Sequence, residues 1–348
     1  MNTRLAFSAS VLLLLISGCA GPTEPVAKNN ALYSLKLISQ TITPGWAMDV
    51  SVVNDTAYVA CNEQGVMVYD VRNQSSPVLF DTIPIDGKAI AVGYSPASDL
   101  LIVLKDGISN GLVVHSRETE RYLGSIGSGL AADFSMIELS ADSVIIGEVE
   151  ADFDDAYQVK LWYWSPEFGG GWAQRAGNFS HANGANGWLY GLCLDSSLVY
   201  FANGEFGIRI GSSDYRVLGD NCFSPISHMD TPGSARKIAL NGDRTHLYVA
   251  DWQAGLQVVD VTDKSAPRIT GGLIPAGVNE VQDVKAYGDT AFFTDKYNGL
   301  FAADVRNPAN PKLIAIFDTP DPQGFCITSD GTIFLTDQEL GLLILKFR

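Results

Sequence analysis

The chain repeats itself, and the repeat limits what it can become. Gly45-Trp46-Ala47-Met48-Asp49-Val50 leads into Thr56-Ala57-Tyr58-Val59-Ala60, then Gly65-Val66-Met67-Val68-Tyr69-Asp70-Val71 and a loop that ends at Pro77. The same order returns as Val281-Gln282-Asp283-Val284, Thr290-Ala291-Phe292-Phe293-Thr294-Asp295, Gly299-Leu300-Phe301-Ala302-Ala303-Asp304-Val305 and Pro311. A third copy runs through Leu247-Tyr248-Val249-Ala250-Asp251, Gly255-Leu256-Gln257-Val258-Val259-Asp260-Val261 and Pro267. Each unit reads as four short strands, the third opened by the glycine and the fourth by the proline. Short apolar runs rich in β-branched and aromatic residues suit strands buried on both faces between neighbouring sheets. Beyond the N-terminus no stretch sustains a helical period, so an all-β chain is expected.

Second strands recur at Tyr58-Val59, Ile102-Val103, Ile145-Ile146, Val199-Tyr200-Phe201, Tyr248-Val249, Phe292-Phe293 and Phe334-Leu335. Their spacing of roughly 45 residues is that of a four-stranded propeller blade. The last unit stops after its third strand, at Leu342-Leu343-Ile344-Leu345, and the run from Tyr33 to Ile42 resembles the fourth strands at 268–274 and 312–318. The expectation is a seven-bladed β-propeller over 31–348, one domain, with the N-terminal strand closing the last blade and leaving no open edge.

These repeats resemble the LVIVD-repeat family of bacterial and archaeal envelope propellers. The resemblance is strongest at 45–84 and 234–321, where Asp304-Val305-Arg306-Asn307-Pro308-Ala309-Asn310-Pro311 is close to the family's wording, and weakest at 130–233. It implies architecture and placement. No shared catalytic residue comes with it.

The N-terminus reads differently. Met1 to Arg4 form a short basic start, Leu5 to Ile16 an apolar core, and Ile16-Ser17-Gly18-Cys19 a small-residue close before a cysteine. This resembles a bacterial lipoprotein signal peptide over 1–18. It implies cleavage before Cys19 and lipidation there, palmitate included. Ala20 after the cysteine favours the outer membrane, and 19–30, with Pro22 and Pro25, reads as a tether. The formal net charge of -16 leaves no basic stripe for phosphates, so no nucleic-acid partner is expected. An acidic body also leaves membrane attachment to the lipid anchor. Cys61, Cys193, Cys222 and Cys326 match no metal knuckle or redox pair, and their disulfide state stays open.

Repeated residues are read first as structural. Asp70, Asp260 and Asp304 end third strands where a carboxylate can fix a turn, and Gly65, Gly111, Gly207, Gly255, Gly299 and Gly341 open third strands where a positive φ is needed. The loops between second and third strands carry an acid in nearly every blade, among them Glu63, Asp106, Glu205, Asp251, Asp295 and Asp337. Such a ring at a channel mouth would gather negative potential for a cation or a basic partner, although Asp is also an ordinary turn former.

The third unit adds Asp152, Asp154 and Asp155 without EF-hand spacing, so no cofactor is assigned, calcium stays open and the metal ligands are unknown. Beside them Phe168, Trp172 and His181 make an aromatic platform for sugar or peptide if exposed. No His-Glu-x-x-His and no phosphate-cradling glycine loop occurs. The expected function is a lipid-anchored binding or scaffolding module of the cell envelope with a protein or glycan partner. The alternative is a hydrolase or lyase using carboxylates or a divalent ion at the channel mouth.

Overall fold

The computed structural model describes residues 26–29, 33–106, 111–119, 121–126, 130–140, 143–151, 157–165, 171–177, 189–213 and 223–348. Their regular structure is all β, and none forms a helix long and apolar enough to cross a membrane. Two strands precede the repeats, β1 (Val26–Asn29) and β2 (Leu35–Thr41). The first repeat supplies β3 (Asp49–Val53), β4 (Thr56–Ala60), β5 (Val66–Asp70) and β6 (Val78–Ile83), and the second β7 (Lys88–Ser95), β8 (Leu100–Asp106), β9 (Leu112–Ser116) and β10 (Arg121–Ile126). The third comprises β11 (Leu130–Ser140), β12 (Ser143–Ala151), β13 (Tyr157–Ser165) and β14 (Gly171–Gly177). β15 (Gly191–Asp195), β16 (Leu198–Ala202), β17 (Ile208–Ser213) and β18 (Phe223–Met229) form the fourth, and β19 (Lys237–Leu240), β20 (His246–Ala250), β21 (Leu256–Asp260) and β22 (Arg268–Leu273) the fifth. The sixth holds β23 (Val281–Tyr287), β24 (Thr290–Asp295), β25 (Gly299–Asp304) and β26 (Lys312–Asp318), and the last only β27 (Pro322–Ile327), β28 (Thr332–Asp337) and β29 (Gly341–Phe347).

Within each repeat the strands pair antiparallel in chain order, and β27 to β29 take β2 as their outermost member. The described strands therefore lie in seven sheets. First strands touch in the circuit β3, β7, β11, β15, β19, β23, β27 and back to β3, which is the arrangement of a β-propeller. The apolar clusters sit between successive sheets. Tyr58 and Ala60 face the second sheet, whereas Ala57, Val59 and Cys61 pack against Phe334, Leu342 and Ile344 of the seventh. Alternate side chains of one strand thus fill two interfaces, which is why second strands read as unbroken apolar runs.

The two ends of the chain meet in the seventh sheet. β2 pairs with β29 from Leu35 opposite Phe347 to Thr41 opposite Leu342. Ser34 and Arg348 exchange backbone hydrogen bonds of 2.8 and 3.0 Å, and the Tyr33 ring stacks on Phe347. One expectation changes. The segment read as a tether contributes β1, whose Val26 to Asn29 pair antiparallel with β26 at the outer edge of the sixth sheet. An unpaired edge offers amides and carbonyls that a passing chain can satisfy, so even a short polar segment is drawn into register there.

Most of the repeated residues do structural work. Asp70, Asp260 and Asp304 each accept a backbone N–H from two residues on, at 2.9 to 3.0 Å. Gly65, Gly207, Gly255, Gly299 and Gly341 all have φ between 70° and 92°. Cys61, Cys193 and Cys326 are free thiols, and Cys222 lies outside the described residues.

Candidate functional site

The loop between second and third strands sets the geometry of one face. In the first repeat Cys61 N–H donates to Gly65 carbonyl at 2.8 Å, while Asn62 exchanges backbone bonds with Ala89 of the next sheet. The fourth repeat copies this with Asn203, Gly207 and a Gly204–Ala235 bridge, and the fifth with Asp251, Gly255 and a Trp252–Val281 bridge. Each turn is thereby pinned to the chain entering the neighbouring sheet. Turns and blade-linking segments share one face because backbone hydrogen bonds join them.

Three expected site residues are part of that pinning. Asp251, Asp295 and Asp337 are fully buried. Asp251 accepts the Thr231 hydroxyl at 2.6 Å and the Gly233 amide at 2.9 Å. Asp295 accepts the Asn279 and Glu280 amides at 2.8 and 2.7 Å, and Asp337 accepts the amides of Asp321, Glu339 and Leu340 and the Thr319 hydroxyl. Their oxygens are occupied by donors of the segment entering their own repeat and, for Asp295 and Asp337, of the turn itself, so these three do not present free carboxylates to a ligand. Burial pushes the Asp251 carboxyl up to about 6 against the lowering effect of those two bonds.

Glu63, Asp106 and Glu205 are exposed. Asp152, Asp154, Asp155, Phe168 and His181 lie outside the described residues, as does Cys19. Trp172 falls in β14 opposite Trp164. Trp162, from the same aromatic run, packs against the buried cluster of Leu100, Ile102 and Ile146. Among the described residues no group of three or more His, Cys, Asp or Glu is placed to hold a metal ion. Gly107-Ile108-Ser109-Asn110-Gly111 has the Gly-x-Ser-x-Gly wording, yet it links strands β8 and β9, whereas a nucleophile elbow joins a strand to a helix.

The first strands enclose a channel of about 980 Å³. Its wall carries charge that the sequence reading passed over. Asp49 accepts the Val92 amide at 3.0 Å and Asp133 the Leu192 amide at 3.1 Å, each tying its strand to the next sheet. Asp133 also pairs with Lys237, two sheets away, and Asp283 pairs with Lys285 at 3.6 Å. Burial pushes Asp49 up to about 6, and the Asp283 and Asp49 carboxylates hold the Lys285 ammonium above its usual range. The Asp-Val wording of Asp49-Val50 and Asp283-Val284 was the available signal, legible as a repeat but not as a channel wall.

At the mouth, Met48, Tyr190 and Arg236 occupy the same rung at the head of the first strands of the first, fourth and fifth repeats. Their amides donate to Ala60, Ala202 and Ala250 at 2.8, 3.0 and 2.8 Å. The Arg236 guanidinium carbon lies 3.9 Å from the ring centroids of both Tyr190 and Trp252. Gly191 permits this approach, since a Cβ there would come within 2.5 Å of the Arg236 carbonyl oxygen. All three residues line the channel. Around them the same face exposes Ile42 (67%), Trp46 (59%), Ile274 (61%) and Tyr297 (56%) on its turns and linking segments.

The LVIVD repeat model matches residues 44–83, 232–272 and 279–319, which are the first, fifth and sixth repeats. No curated protein matches the chain. A solved structure similar to it is the crystal structure of the computationally designed Ika8 protein, with a TM-score of 0.62 and 7% identity over 90% of this chain and 99% of that one. A likeness at that identity shows the fold alone.

Proposed function

We propose that this protein is a lipid-anchored, seven-bladed propeller of the cell envelope that works as a binding or scaffolding module, presenting its turn-bearing face to a protein or glycan. The observation that carries the reading is the concentration of exposed Trp46, Tyr297, Ile42 and Ile274 on one face, beside the channel mouth, with the Tyr297 turn and the segment after Ile274 held by buried Asp295. Large apolar side chains exposed together on a firm scaffold mark contact surfaces, and aromatic residues supply most of the energy there. The anchor is supported by the Leu5–Ile16 apolar core and the Cys19 site, and the outer membrane by Ala20.

A photo-crosslinking residue at Trp46 in intact cells tests the face, with one at exposed Phe80 on the outer edge as the comparison. Adducts at Trp46 and none at Phe80 are expected. Adducts at Phe80 alone would overturn the assignment. Cys19→Ala should release the protein from the membrane fraction, and persistent attachment would remove the lipid anchor from the proposal.

A further inference from the structure

We infer that the channel mouth between the fourth and fifth sheets receives the carboxylate of a small organic acid, gripped edge-on by Arg236 between Tyr190 and Trp252. The inference deepens the binding-module reading and rests on it only for the choice of face.

The first argument is the state of the guanidinium. In a chain with 39 acidic residues against 23 basic, Arg72, Arg268 and Arg306 each pair with an aspartate of their own sheet. The Arg236 side chain pairs with no carboxylate among the described residues, and its Nε is buried without an acceptor. Buried donors are ordinarily satisfied, and an unsatisfied one calls for an explanation, which a partner arriving from the adjoining channel would supply. Its central carbon lies 3.9 Å from the centroids of both rings, so the rings crowd the group and recognition falls to its N–H donors.

The second argument is backbone conformation. Trp252 has φ 51°, the left-handed region that a bulky side chain rarely adopts. Its equivalents in the first and fourth repeats are Asn62 (φ 51°) and Gly204 (φ 55°), residues that reach this region cheaply. The fifth repeat keeps an indole at a position where the fold asks for Asn or Gly. Strain of this kind persists where the side chain serves a site.

Ligand chemistry follows from the clamp. A guanidinium lodged against two rings recognises a partner through its planar fork of N–H donors, which suits the two coplanar oxygens of a carboxylate. A tetrahedral oxyanion puts at most two of its oxygens in the plane of that fork. Asp49, Asp133 and Asp283 along the same wall balance Arg236, Lys237 and Lys285, so the channel offers no surplus positive charge to a dianion. A volume of about 980 Å³ is that of a small-molecule site.

Titration calorimetry of the full chain with acetate, benzoate and glucuronate, beside inorganic phosphate and benzamide, tests the inference. At least one carboxylate should bind saturably, and phosphate and benzamide at least ten-fold more weakly. Arg236→Lys keeps the charge but loses the fork, and should weaken binding at least ten-fold. Trp252→Asn should do the same while its melting temperature stays level or rises. Saturable binding by none of the carboxylates overturns the site, as does equal affinity for phosphate, or carboxylate affinity unchanged in both variants. If carboxylates fail while the Trp46 adduct persists, this site falls and the binding-module reading stands.

Discussion

The turn of the first repeat and that of the fifth have nearly the same backbone and differ in what they carry. Cys61 to Gly65 and Asp251 to Gly255 close with matching bonds: 2.8 and 2.9 Å across the turn, 3.0 and 2.9 Å inside it, and 3.2 Å from each final glycine amide. The second residue has φ 51° in both. Asn62 fills that place in one and Trp252 in the other. Where the turn only bends the chain, the residue is one that tolerates the left-handed region. In the fifth repeat an indole occupies the same strained place, against Arg236. The scaffold is thus shared among repeats, and the proposed recognition is read from a position whose residue departs from what the shared backbone favours.

The strongest way to test that the two turns are equivalent is to strike the glycine they share. Gly65 and Gly255 have φ of 79° and 76°, and an added Cβ would lie 2.3 Å from the Ile83 carbonyl oxygen and 2.4 Å from that of Leu273. Gly65→Ala and Gly255→Ala should each cost about 3 kcal/mol or more, because strain and overlap act together. Denaturant midpoints should place the two losses within about 1 kcal/mol of each other. A harmless Gly255→Ala beside a costly Gly65→Ala would break the equivalence.

Exchanging the residues that differ should give a smaller, asymmetric effect. Asn62→Trp is expected to cost about 1–2 kcal/mol, since it imports the strain without the Arg236 platform. Trp252→Asn should leave stability level or raise it by up to about 1 kcal/mol, lost ring contacts being offset by relief at φ 51°. Thermal unfolding of both variants decides the matter. A Trp252→Asn protein less stable than wild type by more than Asn62→Trp would make the indole a packing residue.

The same contrast explains what the sequence could disclose. The strand positions, the third-strand glycines and the Asp70, Asp260 and Asp304 turns are periodic, and periodicity survives in one dimension. β2 was legible too, because Tyr33 to Ile42 has the wording of a fourth strand. Arg236 and Tyr190 were not legible: they lie in different repeats and become neighbours only because each heads a first strand in adjoining sheets. The departure was nevertheless written down, since Gly233-Ser234-Ala235-Arg236-Lys237-Ile238 follows Gly45-Trp46-Ala47-Met48-Asp49-Val50 with Arg for Met and Lys for Asp. Asp251 shows the opposite failure. Its loop position suggested an exposed acid, but Thr231 and Gly233, 20 and 18 residues earlier, return to cover it.

An effect that shows only as a pH-dependent difference concerns that buried carboxyl, whose place in the first repeat is taken by the buried thiol of Cys61. Asp251 has a value of about 6 in the folded chain against an ordinary 3.8. A raised value means that the folded state binds the proton more tightly, so between roughly pH 4 and pH 6 this group's contribution to stability falls as pH rises. Asp260, held well below the usual carboxylate range by the Thr262 amide, and Asp330, held there by Lys346, act in the reverse sense and lose stabilisation in acid. The profile of the whole protein therefore hides Asp251, and a difference isolates it. Asp251→Asn keeps one acceptor and cannot ionise. Measured by urea unfolding, wild type should lose about 2 kcal/mol relative to this variant between pH 4.5 and pH 7.5. A gap that stays constant to within about 0.5 kcal/mol would mean that Asp251 is ionised throughout, its Thr231 and Gly233 bonds outweighing burial.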